Sequence, residues 1–278
     1  MGAMERFDSV MLTIARARGI RARGVQARGH AITLLDGPGK AGAPTIVFQH
    51  GLGAGAAAQF VPMLLAGQRD FGRVLAVDLP GHGGSAPLPE MNSRALFDSV
   101  AEVLDRETEG PLVLVGNSLG GAMMLEYALT RPERTQSLVL TSPAGAPATE
   151  AEREELLGLF SMPEREAVRV FFSRMHARVP AWAPLFAEDV RARFALPHVR
   201  ALVESFRDGA HFDPARLAEH RVPTLLQWGR ADRLLPASML AWWKTHLPAS
   251  FEEPEVGHAP HFDAPVAFYR RLRAHAEA

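Results

Sequence analysis

Apolar positions recur along this chain in two rhythms. Phe7, Val10, Met11 and Ile14 stand three and four residues apart, which predicts a short amphipathic helix broken by Gly19. Residues 30–35 alternate weakly and predict a strand closed by the turn Asp36-Gly37-Pro38-Gly39. Apolar runs of strand length follow at 45–49, 73–77, 112–115, 137–141 and 222–229, with a last one at 251–256. An alanine-rich stretch towards Leu65, then 93–107, 122–129 and 264–276, carry helical preference. Strands alternating with helices predict crossover units, hence a doubly wound, mostly parallel sheet.

After Thr141 the rhythm changes. Only helical patterns occur from about 149 to 212 (152–160, 164–173, 190–194 and 199–206), separated by Pro163, Pro180, Pro184, Pro197 and Pro214. Strand pattern then resumes, so this block is an insertion between two strands of one sheet. The predicted division is an α/β core of residues 1–143 and 216–278 with a helical cap of residues 144–215. Most of the cap's aromatic residues are expected to pack its helices together. Phe171, Met175, Trp182 and Phe186 are candidates for facing a cleft.

Composition narrows the chemistry. At 278 residues, 47% hydrophobic and 22% charged, the chain is ordinary for a globular protein with one large core. A net charge of −1 gives no reason to expect a nucleic acid partner or an anionic membrane. The absence of cysteine excludes disulfides, thiolate catalysis and Cys-ligated metal. Residues 1–6 lack a secretion-signal pattern and no apolar run reaches spanning length, so the expectation is a cytoplasmic protein without a membrane span. The oligomeric state is not legible.

The most informative stretch is Leu112-Val113-Leu114-Val115-Gly116-Asn117-Ser118-Leu119-Gly120-Gly121. A strand buried on both faces turns through one residue into a helix. The corner residue is driven towards positive φ, and its neighbours two positions away must be small for strand and helix to close. A serine at such a corner has its hydroxyl lifted above the sheet beside a helix N-terminus. The plainer alternative is a serine N-cap behind a glycine turn.

A hydroxyl is a poor nucleophile at neutral pH, so Ser118 needs a base within reach and an acid to orient that base. Both should lie on loops after later strands. Asp232 follows Trp228-Gly229-Arg230-Ala231, and His258 follows Val256-Gly257. Of the other histidines, His261, one turn further along, reads as a surface or pocket residue and the rest as structural or solvated; Asp208 and Asp213 read as cap or hinge residues. Oxyanion donors are expected from the backbone N–H groups of Leu119, heading the helix, and Leu52, in His50-Gly51-Leu52-Gly53. His50, Gly51, Asn117 and Ala259 complete the candidate pocket. No phosphate-binding glycine pattern of the nucleotide type is present.

Together His50-Gly51-Leu52-Gly53, Asp78-Leu79-Pro80-Gly81-His82-Gly83-Gly84-Ser85, Gly116-Asn117-Ser118-Leu119-Gly120-Gly121, Gly229-Arg230-Ala231-Asp232 and Gly257-His258 resemble the α/β-hydrolase family over essentially the whole chain. The resemblance implies a sheet of about eight strands, a cap after the sixth, and no cofactor or metal. Epoxide hydrolases and haloalkane dehalogenases attack with an aspartate where Ser118 stands. Hydroxynitrile lyases carry a lysine where Ala259 stands, and proline iminopeptidases a tryptophan at Leu119. The tail from Gly257 to Pro265 looks like that of carboxylesterases, whereas Gly116 to Gly121 looks like the meta-cleavage-product C–C hydrolases. Those enzymes place a tryptophan after the histidine, which is missing here, and an arginine in the cap, left open by Arg174, Arg178, Arg191 and Arg193. The expected function is hydrolysis of an apolar acyl ester by Ser118, Asp232 and His258. C–C hydrolysis, acyl transfer, thioester cleavage or a receptor with a slow triad remain the alternatives.

Overall fold

The chain's computed structural model is described for residues 2–207 and 211–277. Its strands are β1 (Arg21–Ala27), β2 (His30–Pro38), β3 (Thr45–Gln49), β4 (Arg73–Val77), β5 (Leu112–Asn117), β6 (Thr135–Thr141), β7 (Thr224–Gln227) and β8 (Ser250–Glu252). They form one sheet in the order β1-β2-β4-β3-β5-β6-β7-β8. Only β2 runs against the others: it pairs antiparallel with β1 and β4, and every other pairing is parallel. The mostly parallel eight-stranded sheet expected from the sequence is present.

Helices lie on both faces. On one side are α1 (Ala3–Ala17), α2 (Ala56–Gly67) and, closing the chain, α12 (Pro265–Ala276); on the other are α3 (Ser93–Glu107), α4 (Leu119–Thr130) and α10 (Ala237–His246). Side chains alternate along buried β5 as strand geometry requires. Val113 and Val115 join Phe48, Phe60, Leu64 and Phe268 beneath α2 and α12. Leu112 and Leu114 join Val47, Leu96, Val100, Met124 and Trp243 beneath α3, α4 and α10. Burial of each such side chain stabilises by roughly 1.5–3 kcal/mol.

Between β6 and β7 lie α5 (Glu150–Ser161), α6 (Arg165–Met175), α7 (Ala183–Phe194), α8 (Pro197–Glu204) and α9 (Pro214–Ala218). The first four share a small core of Phe160, Val168, Phe171, Phe172, Val190, Phe194 and Val199, which also takes in Leu234, whereas Leu217 of α9 joins the core of the sheet. Asp213 caps α9, its Oδ1 accepting the Ala215 N–H at 2.9 Å, while Asp208 lies outside the described residues. No helix among the described residues is long and apolar enough to cross a membrane.

Three local expectations need correction. The last strand is only Ser250–Glu252, not 251–256, because Pro254 has no N–H for the ladder and the Val256 N–H turns back onto the Pro254 carbonyl at 2.8 Å. Strand β7 stops at Gln227 rather than 229, where the chain bends towards Asp232. Strand β1, α9, α10 and the short α11 (Pro260–Asp263) were not predicted at all.

The topology itself points to a site. From β3 the chain adds β4 on one side and then crosses to lay β5 on the other. The crevice at the carboxyl ends of two strands so related is where open α/β sheets bind ligands. Gly51 and Leu52 follow β3, and Ser118 follows β5.

Candidate active site

Ser118 adopts φ 55° and ψ −119°, a conformation that costs a residue with a side chain roughly 1–3 kcal/mol. Its surroundings enforce it. The Ser118 N–H donates to the Thr141 carbonyl at 3.0 Å, and its own carbonyl accepts from Ala122 and Ala144 at 3.1 and 3.0 Å. The two bracketing glycines are sterically required. A Cβ on Gly116 would lie 2.4 Å from the Gly120 carbonyl oxygen, and one on Gly120 would lie 2.3 Å from that of Gln49. Leu119 begins α4, so its N–H has no preceding helical turn to accept it.

Across the crevice, His258 Nδ1 bonds Asp232 Oδ2 at 2.8 Å, with both side chains buried. Asp232 Oδ1 accepts the Leu234 and Leu235 N–H groups at 2.9 and 3.3 Å. Burial pushes the Asp232 carboxyl up, but the charge and hydrogen bond of His258, helped by the Leu234 amide, outweigh it and hold the group below its ordinary value. An ionised Asp232 accepts from Nδ1–H and leaves Nε2 as the basic nitrogen. Asn117, one residue before Ser118, ties the two halves together: its Nδ2 donates to the His258 carbonyl at 3.1 Å and to Thr141 Oγ1 at 3.0 Å. Ser118 and His258 line one cavity. Among the described residues no hydrogen bond closes Ser118 Oγ onto His258; such bonds often tighten only around substrate.

The end of α6 is fastened to the same loops. The His258 N–H donates to the Met175 carbonyl at 2.7 Å, and the Arg233 N–H to that of Arg174 at 3.0 Å. Asp263 makes a second clamp. Its Oδ2 accepts the N–H groups of Gly257 at 2.7 Å and Ala177 at 3.2 Å, and its Oδ1 lies 2.7 Å from His176 Nδ1. Burial raises the Asp263 carboxyl, yet the His176 bond and the two amides outweigh that and lower it. Sequence reasoning missed this arrangement. Its only signal was a carboxylate five residues beyond His258 in Pro260-His261-Phe262-Asp263.

The cavity has a volume of about 1190 Å³. Of the predicted pocket residues, Gly51, Leu52, Asn117, Phe171, Met175, Trp182 and Phe186 line it, whereas the Leu119 side chain is buried in the core. His50 and Ala259 do not. The His50 ring turns beneath the wall, Nε2 accepting the Leu79 N–H at 2.9 Å and Nδ1 donating to the Gly51 carbonyl at 2.8 Å. Burial lowers its pKa to about 4, so it stays neutral and acts as a strut for the loop. Ala259 is buried ahead of α11. His261 lines the cavity instead, stacked on Phe60, with burial lowering its pKa to about 3. Of the four arginines between β6 and β7 that the sequence left open, Arg178 lines the cavity; Arg174 and Arg191 pair with Glu155 and Glu188, and Arg193 lies beside Asp8.

Known proteins share this architecture. Residues 46–271 match the family model for the alpha/beta hydrolase family. A 2-hydroxy-6-oxononadienedioate/2-hydroxy-6-oxononatrienedioate hydrolase from Cupriavidus pinatubonensis is 34% identical over 218 residues, covering 70% of this chain and 73% of that protein. A pimeloyl-[acyl-carrier protein] methyl ester esterase from Chromobacterium violaceum is 32% identical over 222 residues, covering 72% and 82%. Among solved structures, 2-hydroxy-6-oxo-6-phenylhexa-2,4-dienoate hydrolase from Rhodococcus sp. strain RHA1 superposes with a TM-score of 0.82 at 23% identity, over 93% of this chain and 99% of that one. With a matched region that runs from β3 into α12, this chain belongs to the alpha/beta hydrolase family.

Proposed function

We propose that the chain hydrolyses a carboxylic ester through an acyl-enzyme on Ser118. The observation that carries this reading is the buried Asp232–His258 pair at 2.8 Å, open to the same cavity as a serine held at φ 55°. Ser118 Oγ attacks the ester carbonyl while His258 Nε2 takes its proton, and Asp232 stabilises the imidazolium. The N–H groups of Leu52 and Leu119 hold the oxyanion. His258 then gives its proton to the departing alkoxide, leaving the acyl group on Ser118. Water repeats the sequence, His258 returning the proton to Ser118 as the acid leaves. Residues 144–215 serve as the cap, and the aromatic lining of Phe171, Phe172, Phe186 and Phe194 favours an apolar acyl group.

A second reading, hydrolysis of a C–C bond beside a carbonyl, draws on the 34%-identical relative of that kind and on Arg178, a cation on the cavity wall suited to a substrate carboxylate. A fluorophosphonate probe tests the nucleophile: prompt labelling of Ser118 is expected, and a folded sample left unlabelled would turn the reading towards a binding protein. Nitrophenyl esters of graded chain length beside one dienone substrate separate the two reactions. Faster turnover of the dienone would overturn the ester assignment.

A further inference from the structure

Eight large apolar side chains are exposed among the described residues, and six of them fall into two groups, with Leu196 before α8 and Val266 on α12 outside them. Phe7, Val10 and Ile14 lie along one stripe of α1, while Val179, Trp182 and Leu185 lie just before and at the start of α7. These two groups meet: the Phe7 and Phe186 rings are 5.8 Å apart edge to face, and Phe186 meets Trp182 at 5.4 Å. Phe7, Val179, Trp182 and Leu185 also line the cavity, so its mouth opens within the exposed apolar rim. Leu185 is 71% exposed and Val10 53%, large values for side chains with nothing to gain from water. The apolar arc of α1 is wider than the face it docks. Met11 and Ala15 pack on the core, and the adjoining Phe7, Val10 and Ile14 are left over.

Charge indicates what covers this rim. Arg18 lies one turn beyond Ile14, and Arg16 and Arg21 flank it; all three are exposed and form no ion pair among the described residues. Arg178 is likewise exposed and unpaired beside Val179. Of the nearby carboxylates, Glu5 accepts the Gly2 N–H at 3.0 Å, Asp189 accepts the Met4 N–H at 2.7 Å, and Asp8 faces the Arg193 guanidinium; these three negative charges stand against Arg193 and the four arginines without an ion pair. A helix with an apolar stripe and unpaired arginines is the form that lies in the interface of an anionic bilayer. A second copy of this rim would instead set arginine against arginine.

We propose that the rim made by α1 and the start of α7 docks on an anionic phospholipid surface. The cavity mouth then faces the lipid, so an apolar ester would pass from bilayer to Ser118 without crossing water. That delivery step rests on the ester reading above, whereas the docking does not.

The test reads binding without activity. The full chain is floated with phosphatidylglycerol-containing vesicles and with pure phosphatidylcholine vesicles, at low and high salt. Flotation with the anionic vesicles, weakened by salt, is expected. Arg18→Glu with Arg21→Glu should lower partitioning by about tenfold or more. Val10→Asp with Ile14→Asp should abolish flotation while leaving the circular dichroism spectrum unchanged. Wild-type protein that floats with neither vesicle, or variants that float as it does, would overturn the proposal. So would a dimer that Val10→Asp with Ile14→Asp dissociates, since the rim would then belong to a second copy. Flotation without cleavage of any ester would retain the docking and remove the ester reading alone.

Discussion

The two sides of the cavity are built from opposite materials. On one side, Asp232, Asn117 and Asp263 hold His258 and its loop through hydrogen bonds of 2.7 to 3.1 Å, and the end of α6 is bonded to the same loops. On the other, α1 meets α7 through Phe7 and Phe186, with the Met4 N–H on Asp189 as a polar tie. Directional bonds hold a geometry that proton transfer needs within tenths of an ångström. Dispersion contacts are individually weak and non-directional, so that wall can change shape without stranding a buried donor. The cavity is thus rigid where bonds would be made and broken, and compliant where shapes would be accommodated.

The deepest break falls on the rigid side. Ser118→Ala should lower kcat by about a millionfold while the protein still folds, since the backbone at 118 keeps its bonds to Thr141, Ala122 and Ala144. Ester turnover beside a thermal melt checks both halves. Asp232→Asn should follow at about 10⁴-fold, because the carboxamide no longer holds Nδ1–H towards itself or balances an imidazolium. A loss below tenfold in that variant would mean that another acid serves His258.

The rigid side was also the more legible in sequence. Ser118, Asp232 and His258 announce themselves because a glycine-bracketed corner and loops after buried strands leave few alternatives. The runs 45–49, 73–77 and 112–115 were readable because both faces of those strands are covered. Strand β1 was not, since at the sheet edge its polar residues face water and no apolar period survives. Helix α10 carries only a short signal, Met239 and Trp243 one turn apart. The placement of Asp263 against His176 could not be read at all. It depends on how α6 lies over the 257–258 loop, a contact between segments 87 positions apart.

Asp263→Asn takes the comparison to its joint. The variant removes the negative charge that receives Gly257, Ala177 and His176, so the loop bearing His258 loses its tether to the end of α6. We expect kcat to fall by roughly 10–100-fold with KM changed far less, because the imidazole is displaced rather than the pocket wall. A purely structural role would lower the melting temperature but leave kcat of the folded fraction intact. Asp263→Glu, which keeps the charge, should recover part of the loss.

The smallest effect probes the compliant wall through Asp8, whose pKa is pushed out of its ordinary range. Asp8, on α1, has its Oδ1 buried without a hydrogen-bond partner. Burial outweighs the Arg193 guanidinium, with Asp78 adding repulsion, and raises its pKa to about 6. Folded protein therefore holds a proton on Asp8 up to about pH 6, whereas the unfolded chain loses it near its ordinary value of about 4. Between those values the folded state binds more protons, so this contribution to stability is full below the window and lost as pH rises through it. Asp232 and Asp263 run the other way: their lowered values contribute above the ordinary carboxylate range and are lost as pH falls through the folded values. Asp8→Asn should thus raise the melting temperature at pH 7 by roughly 2–4 °C and give no gain at pH 4. Melts of both proteins from pH 4 to 8 decide it. A difference that stays constant across that range would mean the α1 interface does not keep water from the carboxyl, and that this wall is looser than its apolar contacts imply.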